Sequence, residues 1–211
     1  MQSLQNTYNA EEVFHRYEGV ARLVAKETDA SWSYLVEPKF DGMSVEIVYA
    51  YGKFMRAVTR GDGKIGEEIT EHAKLLHGLP LYIKQIKHIK TLSLRGEIVM
   101  PKTAFERLGT VETTSGGLEF ANPRNATAGT LRHLNPQLVK KRGLTLEVYD
   151  LIFSSEPLPV ATAQELRNLF AVRGIQTHPW VQMFSTIEEV VTFCVSAETL
   201  KHSYQQDIQL D

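Results

Sequence analysis

One lysine lies beside a carboxylate and a glycine, immediately after an apolar run. Lys39 and Asp41 stand in the segment 37–42, Glu-Pro-Lys-Phe-Asp-Gly, which follows the apolar residues 32–36. A lysine amine becomes a nucleophile when it loses its proton, and desolvation or a neighbouring cation can bring that about near neutral pH. Such an amine, held at the bottom of a pocket, could attack a phosphorus atom. The simpler alternative is a hairpin turn with an exposed lysine, because Asp-Gly is a common turn pair.

Three further clusters contain the residue types that bind phosphates. They are Thr-Arg-Gly-Asp-Gly at 59–63, Arg-Gly-Glu at 95–97, and Asn-Pro-Arg-Asn at 122–125 followed by Arg132. Each cluster lies at the end of a predicted strand or the start of a predicted helix, so all could converge on one cleft. A lysine with several arginines suits phosphoryl or nucleotidyl transfer, in which fixed cations stabilise charge on the phosphate oxygens. Arginine can grip phosphate at two points.

Each of these residues also has an ordinary structural interpretation. The Asp-Gly pairs at 41–42 and 62–63 could be plain turns, and Glu97 could be a solvated carboxylate at a strand edge. Arg124 could cap its own helix, and Arg132 could pair with a nearby acid. The lysines at 84, 87 and 90 are most simply a solvated face.

The pattern of apolar residues predicts alternating groups of strands and helices. Predicted helices span 10–27, 66–77, 101–108, 126–134, 163–173 and 186–196, and the first begins with Asn9 as N-cap and Glu12 as its capping-box partner. Predicted strands span 32–38, 43–49, 54–58, 89–100 and 144–153, with a mobile loop at 111–118. Strands joined by hairpins indicate an α+β fold with mainly antiparallel sheets.

Composition excludes several classes of protein. The 211 residues carry a net charge of -2, so any contact with nucleic acid must come from local clusters. Cys194 is the single cysteine, which rules out an internal disulfide or a thiolate zinc site, and its apolar neighbours predict that it packs in the core. No apolar segment approaches the roughly 20 residues needed to span a bilayer. These features are typical of a cytoplasmic protein.

The four clusters together resemble the nucleotidyltransferase core of bacterial NAD-dependent DNA ligases. The matching segments are 37–42, 58–68, 94–102 and 120–126, and residues 3–6 resemble the S-L-x-N segment ahead of that core. ATP-dependent ligases and capping enzymes share the first motif, whereas the second and fourth are particular to the NAD-dependent family. The resemblance implies a single adenylation domain over residues 1–211, with an antiparallel-sheet nucleotidyltransferase core (ATP-grasp-like, as in DNA ligases and mRNA capping enzymes) and flanking helices.

The resemblance also implies a reaction. Lys39 would attack the α-phosphorus of NAD, release nicotinamide mononucleotide and carry AMP as a phosphoramidate. Asp41 would set the surroundings of the lysine and of a metal. The family's chemistry implies Mg²⁺, although no metal-ligand spacing in this sequence indicates a site.

The remaining roles concern substrate binding. Glu37 would contact the adenine amino group, Arg60 and Glu97 would hold the nucleotide, with Glu97 at the ribose, and Ser3 and Leu4 would line the adenosine side.

The resemblance also implies that two arginines bind phosphates. Arg124 and Arg132 would face the phosphates of the cofactor or of the DNA. The implied partner is nicked duplex DNA, sealed in replication and repair, and the protein is expected to be a cytoplasmic monomer without contact to membranes.

The sequence departs from the family at both ends. The family carries a helical module ahead of the core that grips the nicotinamide mononucleotide half, whereas 36 residues precede Glu37 here. A later D-G-x-V-x-K strand, a further lysine and the OB-fold, zinc and C-terminal modules are also expected to be absent. We therefore expect a truncated domain that binds adenine nucleotides weakly, self-adenylates poorly and seals no nicks. The alternatives are an ATP-dependent polynucleotide or RNA ligase and a non-catalytic nucleotide-binding fragment.

Overall fold

The computed structural model describes residues 7, 9–24, 33–115, 120–178, 181–200, 207–208 and 210. In chain order its elements are α1 Ala10–Val24, β1 Tyr34–Val36, β2 Met43–Ala50, β3 Lys53–Thr59, α2 Thr70–Ala73, a 3₁₀ turn Lys84–Ile86, β4 Leu92–Val99, α3 Lys102–Ser115, α4 Pro123–Arg132, α5 Gln137–Lys141, β5 Thr145–Ser154, α6 Ala163–Val172, β6 Gln182–Phe184 and α7 Ile187–Leu200. The sheets are antiparallel, which confirms the predicted α+β class.

The chain divides into two compact units. The larger unit comprises Lys39–Pro179 and Asp207–Asp211, and the smaller comprises Gln2–Pro38 and Trp180–Gln206. In the larger unit four strands form one sheet in the order β3-β2-β4-β5. In the smaller unit β1 pairs with β6, and α1 and α7 are its helices.

The two faces of the four-stranded sheet differ in chemistry. Directly opposite residues of β2 and β4 share a face, and the pairs Ile47–Leu94 and Val45–Gly96 are buried on the apolar one. Burial of a side chain such as Ile47 contributes about 1.5–3 kcal/mol to folding. The alternate residues form the opposite face, whose polar members include Ser44, Glu46, Ser93, Arg95, Glu97 and Asp150. The apolar face fixes the register, and that register in turn determines which polar groups are neighbours.

The β2–β3 hairpin was predicted correctly, including its turn. Tyr51 and Gly52 join the strands with φ values of 50° and 79°. Positive φ at both central residues matches the right-handed twist of the paired strands. The N-cap of α1 is also confirmed, because Asn9 Oδ1 accepts the backbone N–H of Glu12 at 2.9 Å.

Two predicted elements are wrong in extent. The helix expected over 66–77 shrinks to α2, because Glu67 and Ile69 extend alongside β3 and exchange backbone hydrogen bonds of 2.9 Å with it. Pairing with a sheet edge therefore prevails over helical periodicity. The loop expected over 111–118 is helical as far as Ser115, since nothing before the glycine pair at 116–117 stops α3.

Three further differences concern short elements and one side chain. The sequence did not predict α5 or β6, which are five and three residues long. Cys194 is exposed on α7, so its predicted place in the core is wrong.

Within the described residues, no helix is both long and apolar enough to cross a membrane.

Candidate active site

Gly42 brings the lysine-bearing segment against β4. A side-chain carbon added to Gly42 would lie 2.2 Å from the carbonyl oxygen of Ile98, so only glycine fits. Gly42 is buried and leads directly into β2. The Asp-Gly pair is therefore a packed entry to the sheet, which excludes the interpretation as an exposed turn.

Asp41 pairs with an arginine from a distant part of the chain. Nη1 of Arg124 lies 3.0 Å from Oδ1 of Asp41, and their side chains are 53% and 18% exposed. Arg124 does not cap its helix, because the Asn122 side chain accepts the Asn125 N–H at 2.8 Å and fills that role. The guanidinium of Arg124 is thus half-exposed beside the carboxylate that follows Lys39.

Glu97 lies next to the same pair. Burial raises the pKa of Glu97 to about 7, while the nearby Arg124 charge, a hydrogen bond from Ser44 and the Gly42 N–H oppose that rise, and the Asp41 charge adds to it. Glu97 is 9% exposed. A buried carboxyl with a pKa near neutrality can be either a hydrogen-bond donor or an acceptor at physiological pH.

Two residues that sequence analysis did not single out support Glu97. Ser44 lies directly opposite Glu97 in the sheet, and its Oγ is 3.2 Å from the hydroxyl of Tyr149. Burial raises the pKa of Tyr149, so the phenol remains protonated. The alternation of β2 could have identified Ser44 as a residue of the polar face. Tyr149 gave no such signal, because the register shift of β5 opposite Arg95 and Gly96 determines its position.

Arg60 is tied to the start of β2. Its backbone N–H donates to the Ser44 carbonyl at 2.9 Å, and its Nε is buried with no hydrogen-bond partner among the described residues. The loop that follows is held by Asp62, whose carboxylate accepts the N–H groups of Lys64 and Ile65 at 2.8 Å each. These hydrogen bonds lower the pKa of Asp62, which is therefore a turn residue.

The other predicted residues are more scattered. Lys39 is exposed and precedes the first paired residues of β2, so the expected burial of its amine at the bottom of a pocket is wrong for this chain. Glu37 is an exposed residue after β1 of the smaller unit. Arg132 is exposed at the last position of α4, about 12 Å along the helix from Arg124. Ser3 and Leu4 lie outside the described residues.

A comparison with known protein families identifies the family of the chain. The sequence profile of the NAD-dependent DNA ligase adenylation domain matches residues 1–209. The chain belongs to this family. Curated relatives of this adenylation domain include the DNA ligase of Hyphomonas neptunium, 36% identical over 99% of the chain, and that of Heliobacterium modesticaldum, 39% identical over 82% of it. The DNA ligase of Shouchella clausii is 36% identical over 99% of the chain.

The chain matches only part of those relatives. The matched region is 30% of the Hyphomonas and Shouchella ligases and 25% of the Heliobacterium ligase. Among the described residues of the adenylation domain, no three His, Cys, Asp or Glu side chains converge in a way that could hold a metal ion. The groups that meet at one end of the polar sheet face are carboxylate, hydroxyl and guanidinium groups.

Proposed function

We propose that this chain performs the first chemical step of an NAD-dependent DNA ligase, the transfer of AMP from NAD to Lys39. The Lys39 nitrogen would form a bond to the α-phosphorus of NAD, and the bond from that phosphorus to the nicotinamide mononucleotide phosphate would break. The mononucleotide would leave with the electron pair, and the amine would lose its proton to solvent. An exposed lysine is open to a substrate of this size.

The observation that carries the proposal is the meeting of Glu97 and Arg124 with Asp41, which is two residues after Lys39 in the chain. The half-exposed Arg124 guanidinium can turn from Asp41 toward a phosphate, where it would stabilise the negative charge that develops during transfer. Ionised Glu97 would accept a hydrogen bond from a ribose hydroxyl.

The other proposed binding roles concern Arg60, Glu37, Ser3, Leu4 and Arg132. The buried Nε of Arg60, without a partner among the described residues, supports a role in holding the nucleotide. The roles of Glu37 at adenine and of Ser3 and Leu4 beside the adenosine rest on the family resemblance. Arg132 is more than one helical turn from Arg124, which favours contact with DNA over contact with NAD.

We also propose that Mg²⁺ takes part, as the family resemblance implies. The described side chains do not form a cage for it, and Mg²⁺ is often held by one or two carboxylates together with substrate phosphates. The ion would therefore depend mainly on the phosphates of NAD, and the roles given above do not require it.

The whole enzyme would seal nicked duplex DNA during replication and repair. We infer this from the relatives, which are named DNA ligases. We also infer that residues 1–211 belong to one adenylation domain that acts in the cytoplasm as a monomer. Gel filtration with light scattering would test the oligomeric state, and a mass of twice 23.8 kDa would contradict it.

The donor can be tested with NAD and ATP, each labelled in the adenine half. We expect slow transfer of label from NAD to the chain, loss of transfer in Lys39→Ala, and retention in Lys140→Ala, which removes an exposed lysine of α5. Label from ATP alone would overturn the NAD assignment in favour of an ATP-dependent ligase. Absence of label from both donors would overturn the adenylation step itself.

A further inference from the structure

We propose that Lys84, Lys87 and Lys90 form a surface, here called the lysine ridge, that binds the phosphate backbone of duplex DNA several base pairs from the nick. The proposal rests on the proposed function, because it assumes that the nick lies near Lys39. It adds a contact surface at the opposite end of the sheet, in a segment that the active-site chemistry does not use.

The local backbone places the three lysines on one side. The isoleucines that precede them are anchors in the core: Ile83, Ile86 and Ile89, each 1% exposed. The N–H of Ile86 donates to the Ile83 carbonyl at 3.2 Å, and that of Ile89 to the Ile86 carbonyl at 3.0 Å. These i to i+3 bonds impose a period of three residues, as in a 3₁₀ helix. The lysines therefore recur on the exposed side at intervals of about 6 Å.

The ridge is a local excess of positive charge. Between Glu71 and Glu97 the sequence contains no aspartate or glutamate. Within the described part of the chain, no carboxylate forms an ion pair with any of the three lysines. Glu156 is close in the fold, beside Ser155, which bonds to Thr91 at 2.9 Å. In a chain of net charge -2, three cations at regular intervals, without an ion-pair partner among the described residues, attract a regular polyanion such as duplex DNA.

The position of the ridge sets its distance from the reaction. Ile83 N–H donates to the Gly52 carbonyl at 2.8 Å, and Tyr51 N–H donates to the Ile89 carbonyl at 3.0 Å. The ridge is thus fixed to the hairpin end of β2, whereas Ser44 lies at the reactive end. Tyr51 is seven positions after Ser44, or about 23 Å at the rise of an extended strand. For a duplex that runs parallel to β2 from a nick beside Lys39, 3.4 Å per base pair places the ridge at phosphates about seven base pairs from the nick.

The salt dependence of DNA binding tests the ridge. The logarithm of the affinity falls with the logarithm of salt concentration, with a slope of about -0.9 per phosphate contact. The triple variant Lys84→Gln, Lys87→Gln, Lys90→Gln should reduce the magnitude of that slope by about 2.7 for a long nicked duplex, measured by fluorescence anisotropy. The control is Lys102→Gln, Lys140→Gln, Lys141→Gln, which removes the same charge from exposed sites elsewhere. It should leave the slope nearly unchanged.

Equal loss of slope in both triple variants would overturn the proposal, and so would no loss in the ridge variant or no DNA binding by the unmodified chain. The distance from the nick to the ridge is tested by shortening each arm of the duplex in turn to about four base pairs, which is less than the estimated seven. When one particular arm is short, the unmodified chain and the ridge variant should show the same salt slope. If their slopes still differ by the full amount whichever arm is shortened, the proposed position of the ridge is wrong. The anisotropy measurement uses no NAD and no AMP transfer, so failure of the adenylation step would not affect this test.

Discussion

Nη1 of Arg124 lies 3.0 Å from Oδ1 of Asp41, across 83 positions of sequence. The contact joins the first turn of α4 to the segment that enters β2. Both charges also act on Glu97, since Arg124 lowers the pKa of Glu97 and Asp41 raises it. A substitution of Arg124 or Asp41 should therefore change the pKa of Glu97 measurably.

Arg124→Gln should raise the pKa of Glu97 further above its value of about 7, because the favourable charge is lost while burial is unchanged. An NMR titration of the Glu97 side-chain carboxyl would measure the shift. Arg132→Gln is the matched control and should leave this pKa unchanged, since Arg132 is about 12 Å farther along α4. A shift of the same size in both variants would show that general charge, rather than the local contact, sets the pKa.

The raised pKa of Glu97 makes the stability of the chain depend on pH. The folded state holds the Glu97 proton up to about pH 7, whereas the ordinary value for an unfolded chain is 4.5. Stability is therefore greatest below pH 4.5 with respect to this group and is lost as the pH rises through 7. The loss should reach about 3 kcal/mol. Urea unfolding between pH 4.5 and 8 would measure it.

Glu97→Gln should remove most of that decline, because an amide stays neutral at every pH. Glu71→Gln is the control for a change in charge alone, since Glu71 is 69% exposed and forms an exposed ion pair with Lys74. The account of Glu97 would be contradicted by an unchanged pH slope in Glu97→Gln.

Substitution of Gly42 should be costly. A methyl group there would lie 2.2 Å from the Ile98 carbonyl oxygen, so Gly42→Ala should destabilise the fold by roughly 2 kcal/mol or more through displacement of β4 or the lysine segment. Gly109→Ala in α3 has open space around the added carbon and should stabilise by about 0.5–1 kcal/mol. Urea denaturation of both variants decides this, and equal effects would show that the close approach at Gly42 is not real.

The hydrogen bond between Ser44 and Tyr149 should be detectable as an energetic coupling. The two oxygens are 3.2 Å apart in a half-buried site, so the pair should contribute about 0.5–1.5 kcal/mol. A double-mutant cycle with Ser44→Ala, Tyr149→Phe and the combined variant measures that term. Additive effects of the two substitutions on the free energy of unfolding would mean that the hydroxyls do not interact.

The sequence predicted those features that depend on local pattern. The alternation of β2 gave the hairpin and placed Ser44 on the polar side, and the Asp-Gly motif pointed to the segment beside Glu97. The features that it did not predict depend on pairing between distant segments. The position of Tyr149 follows from a register shift in β5, and the short α2 follows from the pairing of residues 67–69 with the edge of β3. Neither leaves a periodic signal along the chain.

The central claim is that Lys39 is the residue that accepts AMP. Incubation with the phosphorimidazolide of AMP, an activated donor without the nicotinamide half, followed by peptide mapping, tests it most directly. The account predicts one AMP on Lys39 in clear excess over the other exposed lysines, none at this position in Lys39→Ala, and reduced labelling in Arg124→Gln. AMP distributed over surface lysines in proportion to their exposure would contradict it.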